Sequence, residues 1–258
     1  MPGRDLDLLT QAAQEAGEIA RRFWRRAPRA WDKGEGAGPV SEADLAINAH
    51  LEQRLRGARA EYGWLSEESP MDAARLAADR VFIIDPIDGT RAFLDGQDAF
   101  AHSLAVAEAG RVVAAVVYLP MREVLYAAQA GGPARCNDAP IAVSARTDLT
   151  GASVLAPKPA LAPENWRGRL APAVERVFRP SLAWRLALVA EGAFDAMLTL
   201  RPAWEWDIAA GALIAECAGA RVSDRHGRTI RFNSPGAASD GVIAAPPALW
   251  ASLSGGLA

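Results

Sequence analysis

Residues 5–26 place Leu8, Leu9, Ala12, Ala16, Ile19 and Phe23 at mostly three- and four-residue intervals. This spacing predicts one apolar face of a helix that ends in an arginine-rich turn. The glycine-rich stretch WDKGEGAGPV (31–40) reads as a loop, and Ser41-Glu-Ala-Asp44 after it has the form of a capping box. A second helix is predicted from Ser41 through LAINAHLEQRL (45–55). YGWLSEES (62–69) predicts a short strand running into a loop, and MDAARLAADR (71–80) a helical or irregular connection. VFIID (81–85) is continuously apolar until its last residue, the pattern of a strand buried on both faces. HSLAVAE, RVVAAVVY and EVLYAAQ follow as three strand candidates joined by Ala-Gly and Leu-Pro-Met-Arg turns. Beyond about residue 150 the order is a strand at SVLAP, a polar-faced helix near 164–177, a helix at SLAWRLALVAEG and a strand at AFDAMLTL. A helix at DIAAGALIAECAG then ends at Gly219, with short strands after it. PKPALAP (157–163) reads as a surface loop, and no internal repeat is visible. The pattern is that of a layered α/β protein in two parts, 1–145 and 146–258, without a linker-like segment between them.

With 258 residues the chain is long enough to bury a sizeable core, and its 50% apolar and 23% charged composition is ordinary for a globular protein. A net charge of -3 argues against nucleic acid as a partner, since there is no basic excess to neutralise phosphates. The N-terminus is charged from the start, no apolar run reaches the ~20 residues of a membrane span, and the two cysteines, Cys136 and Cys217, lack zinc-like spacing. A cytoplasmic protein with reduced thiols and no membrane partner is expected. His50, His102 and His226 form no cluster in sequence.

Carboxylates gather where strands should end: Glu67 and Glu68, Asp85 and Asp88, and Asp207. Clustered carboxylates repel unless cations or protons neutralise them, and an all-oxygen set suits Mg²⁺. In IIDPIDGT (83–90), Pro86 pushes Asp85 to an extended conformation, which predicts that the strand stops there. Asp88 can turn back toward the same point, with the Ile87 carbonyl as a further candidate oxygen. Gly89 permits an unusual backbone angle, and Gly89–Thr90 can open a helix whose N–H groups face an anion. The bland alternative is a β-turn with Asx capping. An aspartyl-phosphate phosphatase signature is excluded by spacing, because two residues rather than one separate the aspartates.

GPVSEAD (38–44), WLSEES (64–69), IIDPIDGT (83–90) and WEWDIAAG (204–211) follow one another in the order and spacing of a known family. Through them the chain resembles, over nearly its whole length, the inositol monophosphatase-like superfamily of Mg²⁺-dependent, typically lithium-sensitive phosphatases. The resemblance implies a five-layered αβαβα sandwich, a homodimer, and two to three Mg²⁺ ions. By resemblance, Glu67, Asp85 and the Ile87 carbonyl hold a first ion, and Asp85, Asp88 and Asp207 share a second. Glu68 holds a third through water, Lys33 lies near a metal, and Asp44 with Thr90 orients and deprotonates the attacking water. Each residue also has a plainer reading: Asp44 as a cap of the helix at Ser41, Asp207 as a cap of the helix after it, and Lys33 as a solvated loop residue.

Inositol-specific members of the family follow DPIDGT with Thr-Asn-Phe and carry a glutamate seven residues before the motif aspartate. Here the residues are Arg91-Ala92-Phe93 and Leu200, so an inositol hydroxyl lacks that partner unless Glu205 substitutes. The Arg201-Pro202 turn and SLAWRLALVAEG are more similar to the 3'(2'),5'-bisphosphate nucleotidases, with Arg185 where a lysine is common, and a second substrate phosphate wants such a cation. The expected substrate is a small phosphate ester: a bisphosphate nucleotide first, inositol-1-phosphate second, and histidinol phosphate or a sugar phosphate third. A catalytically inactive metal-binding relative is the non-enzymatic alternative.

Overall fold

The computed structural model describes residues 2–34 and 38–258. Two sheets account for most of the strands. The first runs in sequence order: β1 (Gly63–Ser66), β2 (Arg80–Asp88), β3 (Ala101–Glu108), β4 (Arg111–Leu119), β5 (Val124–Gln129), β6 (Arg135–Cys136) and β7 (Ala139–Pro140). Only the β1–β2 pair is parallel. The second sheet contains β8 (Ser153–Leu155), β9 (Glu175–Val177), β10 (Ala196–Thr199), β11 (Arg221–Ser223) and β12 (Val242–Ala245), in the spatial order β9-β8-β10-β12-β11.

Side-chain alternation along these strands divides the interior into layers. Phe82, Ile84, Leu104, Val106 and Val116 face one side of the first sheet and pack against helices α1 (Pro2–Phe23) and α2 (Glu42–Ala58). Val81, Ile83, Ala105, Ala115 and Val117 face the other side, toward α4 (Leu182–Ala190) and α5 (Glu205–Cys217). Those two helices fill the space between the sheets, where Leu155, Met197, Val242 and Ala244 of the second sheet join the same cluster. Val154, Leu198 and Ile243 face outward onto α6 (Pro247–Gly256). The result is helix, sheet, helix, sheet, helix: five layers, as the sequence led one to expect. Helices α4 and α5 approach so closely that a Cβ at Gly211 would lie 2.6 Å from Leu186 Cβ.

Local signals explain most element ends. At α2 the Ser41 hydroxyl accepts from Ala43 N at 3.2 Å, while the Asp44 carboxylate accepts from Ser41 N at 2.9 Å, the two halves of a capping box. At α4, Ser41's counterpart is Ser181, whose hydroxyl accepts from Trp184 N at 2.9 Å. The first helix stops at Phe23, and the arginine-rich turn expected at its end follows, with Arg25 and Ala27 in left-handed conformations.

Several expectations fail for identifiable reasons. Strand β2 does not stop at Asp85 but runs through Pro86 to Asp88. The polar-faced helix expected near 164–177 is absent: Pro163–Asn165 and Arg167–Arg169 are short 3₁₀ turns, and Glu175–Val177 is a strand. Gly168 in the left-handed region and Pro172 interrupt any continuous helix there. The helix expected at Asp207 begins two residues earlier, at Glu205, and α6 lies where only strands were expected. The loop over 31–40 is in part a two-stranded ribbon, with Ala30–Asp32 antiparallel to Pro39–Ser41; residues 35–37 lie outside the described residues. Among the described residues no helix is long and apolar enough to cross a membrane.

Candidate active site

The site forms where β2 leaves the first sheet. Asp85 pairs with Ser103 and Asp88 with Ala101, so three steps along β2 match two along β3. In a regular strand, side chains three residues apart face opposite sides. The extra residue of the bulge turns Asp88 back to the side of Asp85. Pro86 suits the bulge because it has no N–H to leave unpaired. Its carbonyl accepts from His102 Nδ1 at 2.5 Å, and burial lowers the pKa of that imidazole to about 4, so the ring is neutral with its proton on Nδ1.

Asp207 comes to the same place from the first turn of α5, which is fastened to β3 by a 2.8 Å bond from Ser103 Oγ to the Trp206 carbonyl. Asp85, Asp88 and Asp207 each offer one oxygen, and these atoms lie within 4.8 Å of one another. Two unit charges at that separation repel by about 3 kcal/mol at an effective dielectric near 20. The Asp85 and Asp207 carboxyls are accordingly held well above the ordinary range, by burial first and then by neighbouring carboxylates. Asp88 is raised to about 6 by burial, against the bonds it accepts from Ser181 Oγ and Ala183 N, both at 2.6 Å. The buried Oδ1 of Asp85 has no hydrogen-bond partner among the described residues. A buried carboxylate oxygen without a donor, beside two more carboxylates, fits a cation.

Glu67 and Glu68 flank this group at the end of β1. The ribbon over 30–41 carries Lys33 onto them, with Nζ 2.7 Å from Glu67 Oε1 and 2.6 Å from Glu68 Oε1. Lys33 is thus an ion-pair partner at the site and not a solvated loop residue. Burial disfavours its charge, but the two glutamates raise its pKa overall, while Glu68 is itself lifted to about 7 by burial.

Asp44 divides its two oxygens between two tasks. Oδ2 takes the Ser41 backbone and hydroxyl, which caps α2, and Oδ1 accepts the Thr90 hydroxyl at 3.1 Å. One carboxylate thus caps α2 and contacts Thr90 at the same time. Thr90 Oγ1 is also 3.1 Å from the Ile87 carbonyl. Burial raises Asp44 to about 6, against the bonds from Ser41 and Thr90. Gly89, at φ 103°, ends the strand in a conformation reserved for glycine and starts α3 (Thr90–Leu94), whose first backward bond is Phe93 N to Gly89 O. The N–H groups of Thr90, Arg91 and Ala92 precede that bond and have no partner within the helix.

A cleft of about 500 Å³ opens over these residues, lined by Glu67, Gly89, Thr90, Asp207 and the basic side chains Arg91, Arg185 and Arg201. Arg185 is buried, with Nε and Nη2 on the carbonyls of Arg179 and Pro180, and burial lowers its pKa to about 10. Glu205 is not brought to the cleft. Its carboxylate accepts from Asn233 N at 2.5 Å, Ser234 N at 2.9 Å and Ser234 Oγ at 2.5 Å, so it clamps the 233–234 turn. Leu200 packs in the cluster beneath α6. The other singled-out residues lie apart: His50 pairs with Glu15, His226 with Asp240, and Cys136 and Cys217 are free and half-buried. Ser181 and Ala183, which bind Asp88, were not singled out in the sequence. Ser181 had a readable cap position, but nothing local signals its reach to Asp88.

The model of the inositol monophosphatase family matches residues 4–255. The chain is 34% identical to an inositol-1-monophosphatase of Rhizobium meliloti, with 86% of each chain covered. It is 28% identical to the 3'(2'),5'-bisphosphate nucleotidase CysQ of Salmonella typhimurium, over 88% of this chain and 93% of the relative. The solved structure of the extragenic suppressor protein suhB from Bartonella henselae superposes with a TM-score of 0.82 at 29% identity, covering 97% of both chains. The layered fold, the carboxylate cluster at the bulge and a match over nearly the full length lead to one conclusion: the chain belongs to the inositol monophosphatase family, a family of phosphatases.

Proposed function

We propose that the protein is a Mg²⁺-dependent phosphomonoester hydrolase whose substrate is a 3'(2'),5'-bisphosphate nucleotide. The observation that carries this reading is the presence of Arg91, Arg185 and Arg201 in the same cleft as the carboxylates. One phosphate is the reacting group; the surplus of guanidinium groups suits a second. Inositol-1-phosphatase is the second reading, favoured by the higher identity to the Rhizobium meliloti relative. Against it, Leu200 offers no acceptor to a polyol and Glu205 is engaged elsewhere.

Glu67, Asp85 and the Ile87 carbonyl would hold one Mg²⁺, Asp85, Asp88 and Asp207 a second, and Glu68 a third through water. When bound, the metal neutralises these carboxylates and supplies Lewis-acid stabilisation to the phosphoryl oxygens. The Thr90 hydroxyl has two acceptors at 3.1 Å, Asp44 Oδ1 and the Ile87 carbonyl; with its proton on the Asp44 side, the Thr90 oxygen is left to accept from water. As the water oxygen attacks phosphorus, its proton passes to Thr90 and the Thr90 proton to Asp44. A carboxylate titrating near 6 is well matched to that task at neutral pH. The ester P–O bond breaks in line, the leaving alkoxide takes a proton from solvent water, Asp44 returns its own to solvent, and no residue is phosphorylated. The N–H groups at the start of α3 donate to the phosphoryl oxygens. As in the family, a homodimer is expected, which sedimentation would test.

Phosphate release with Mg²⁺ from adenosine 3',5'-bisphosphate and from inositol-1-phosphate, each with and without lithium, tests the reading. A strong preference for the nucleotide is expected. Preference for inositol phosphate overturns the substrate assignment, and release from neither points to histidinol or sugar phosphates or to a non-catalytic relative.

A further inference from the structure

Three aromatic rings stand exposed among the described residues: Trp31, Phe178 and Trp204. Two of them, Phe178 at 50% and Trp204 at 45% exposure, line the cleft that contains Glu67, Thr90 and Asp207. Exposure forgoes the burial through which aromatic rings ordinarily stabilise a fold. Both rings are nevertheless held in place from behind. Trp204 stacks on the buried Trp206, centroids 4.9 Å apart and planes 13° from parallel, and its backbone pairs with Ala238 in a short antiparallel ribbon. Phe178 follows β9, and the Arg185 guanidinium lies 4.4 Å from its ring centroid. Arg185 is fixed in turn by the Arg179 and Pro180 carbonyls. A pre-positioned ring loses little freedom when a ligand stacks on it.

Rings and guanidinium groups lining one cleft recognise a planar π-system carrying negative charge, since stacking needs a flat partner and the cations need an anion. A polyol meets neither condition, because its hydroxyls want carboxylate or amide acceptors. We propose that Phe178 and Trp204 form an aromatic subsite that binds the leaving group by stacking on its base, so that the alcohol released from a bisphosphate substrate is a nucleoside monophosphate. This rests on the phosphomonoesterase reading above and adds to it the residues that select the leaving group.

The test compares wild type, Phe178→Ala, Trp204→Ala, and the rescue variants Phe178→Tyr and Trp204→Phe. Each is assayed with Mg²⁺ on adenosine 3',5'-bisphosphate, adenosine 3'-monophosphate and the abasic sugar bisphosphate. The expected result is that each alanine variant lowers the kcat/KM ratio of nucleotide to abasic substrate by roughly 10- to 100-fold, chiefly through KM, and that the aromatic replacements restore it. Nucleotide should also quench tryptophan emission in wild type and less so in Trp204→Ala. An unchanged ratio, or equal loss on both bisphosphates, overturns the subsite, as does an absence of quenching in a wild type that hydrolyses none of the three. Failure of the bisphosphate reading looks different: wild type would treat the nucleotide mono- and bisphosphate alike while still preferring either to the abasic ester.

Discussion

Strand β2 has a carboxylate group at each end, and the two ends are built on opposite principles. Near its start, Asp5 is fully buried but surrounded by donors: Arg59 Nε at 3.1 Å, Arg80 Nη1 at 2.9 Å and the Tyr62 hydroxyl at 3.1 Å. Near its finish, Asp85 is equally buried, yet one of its oxygens has no donor among the described residues and its neighbours are more carboxylates. The first arrangement is complete within the chain and fastens α1 to the sheet. The second is left for a proton or a cation to complete. A buried acid therefore marks a site only when the chain fails to neutralise it.

The sharpest way to break this comparison is to remove one charge from each end. Asp88→Asn should lower kcat by more than about 100-fold, beyond the 10- to 100-fold typical of residues that only orient a ligand. The thermal stability of the metal-free protein should be unchanged or higher, because a repulsion is relieved. Asp5→Ala should do the reverse, costing about 3 kcal/mol in urea unfolding while leaving kcat per folded molecule intact. Comparable loss of activity from both variants would abolish the distinction. Next in size, Thr90→Ala should reduce kcat by about 100-fold with Mg²⁺ affinity, read by calorimetry, nearly unchanged; an unaltered kcat would refute the Asp44–Thr90 pair.

The smallest effect is on pH dependence. Burial raises Asp44 and Asp88 to about 6 and Glu68 to about 7 in the folded chain. The native state then keeps protons that the unfolded chain releases above about pH 4. The stability these groups contribute without metal is greatest in acid and is lost as pH rises through 6 to 7. Metal binds the deprotonated carboxylates, so the rise in Tm on adding Mg²⁺ should grow over the same window. Melting curves at pH 5, 6, 7 and 8 with chelator and with Mg²⁺ would show it; a metal-induced shift that is constant with pH would contradict the assignment.

Much of the finishing end of β2 was legible in the sequence, because its signals are local. The apolar run, Asp85-Pro-Ile-Asp88, the glycine and the capping box at Ser41 lie within short windows, and chain order connected them. The bulge was not legible. Proline reads as a strand terminator, and only the pairing with Ser103 and Ala101 reveals a strand that continues past it. The Asp5 cluster was invisible for the same reason, since its partners lie 54 to 75 residues away. Helix α6 was missed because its Ser-Gly-rich end, LSGG, weakens the helical period, whereas burial of Leu249, Trp250 and Leu253 against the second sheet compensates. Glu205 was misjudged because a carboxylate two residues from Asp207 looks available until Asn233 and Ser234 are seen to occupy it.

The descent of Asp207 from α5, onto a cluster otherwise supplied by residues 67 to 88, bears on how such a chain is made and how it diverges. During synthesis the carboxylate group stays one member short until residue 207 has emerged and its helix has docked on β3 through Trp206 and Ser103. Over evolutionary time the same arrangement constrains the later half of the chain to keep α5 in register with the earlier half. Trp204, the residue that precedes α5 and stacks on Trp206, shares that constraint, whereas Phe178 lies on a separate segment after β9.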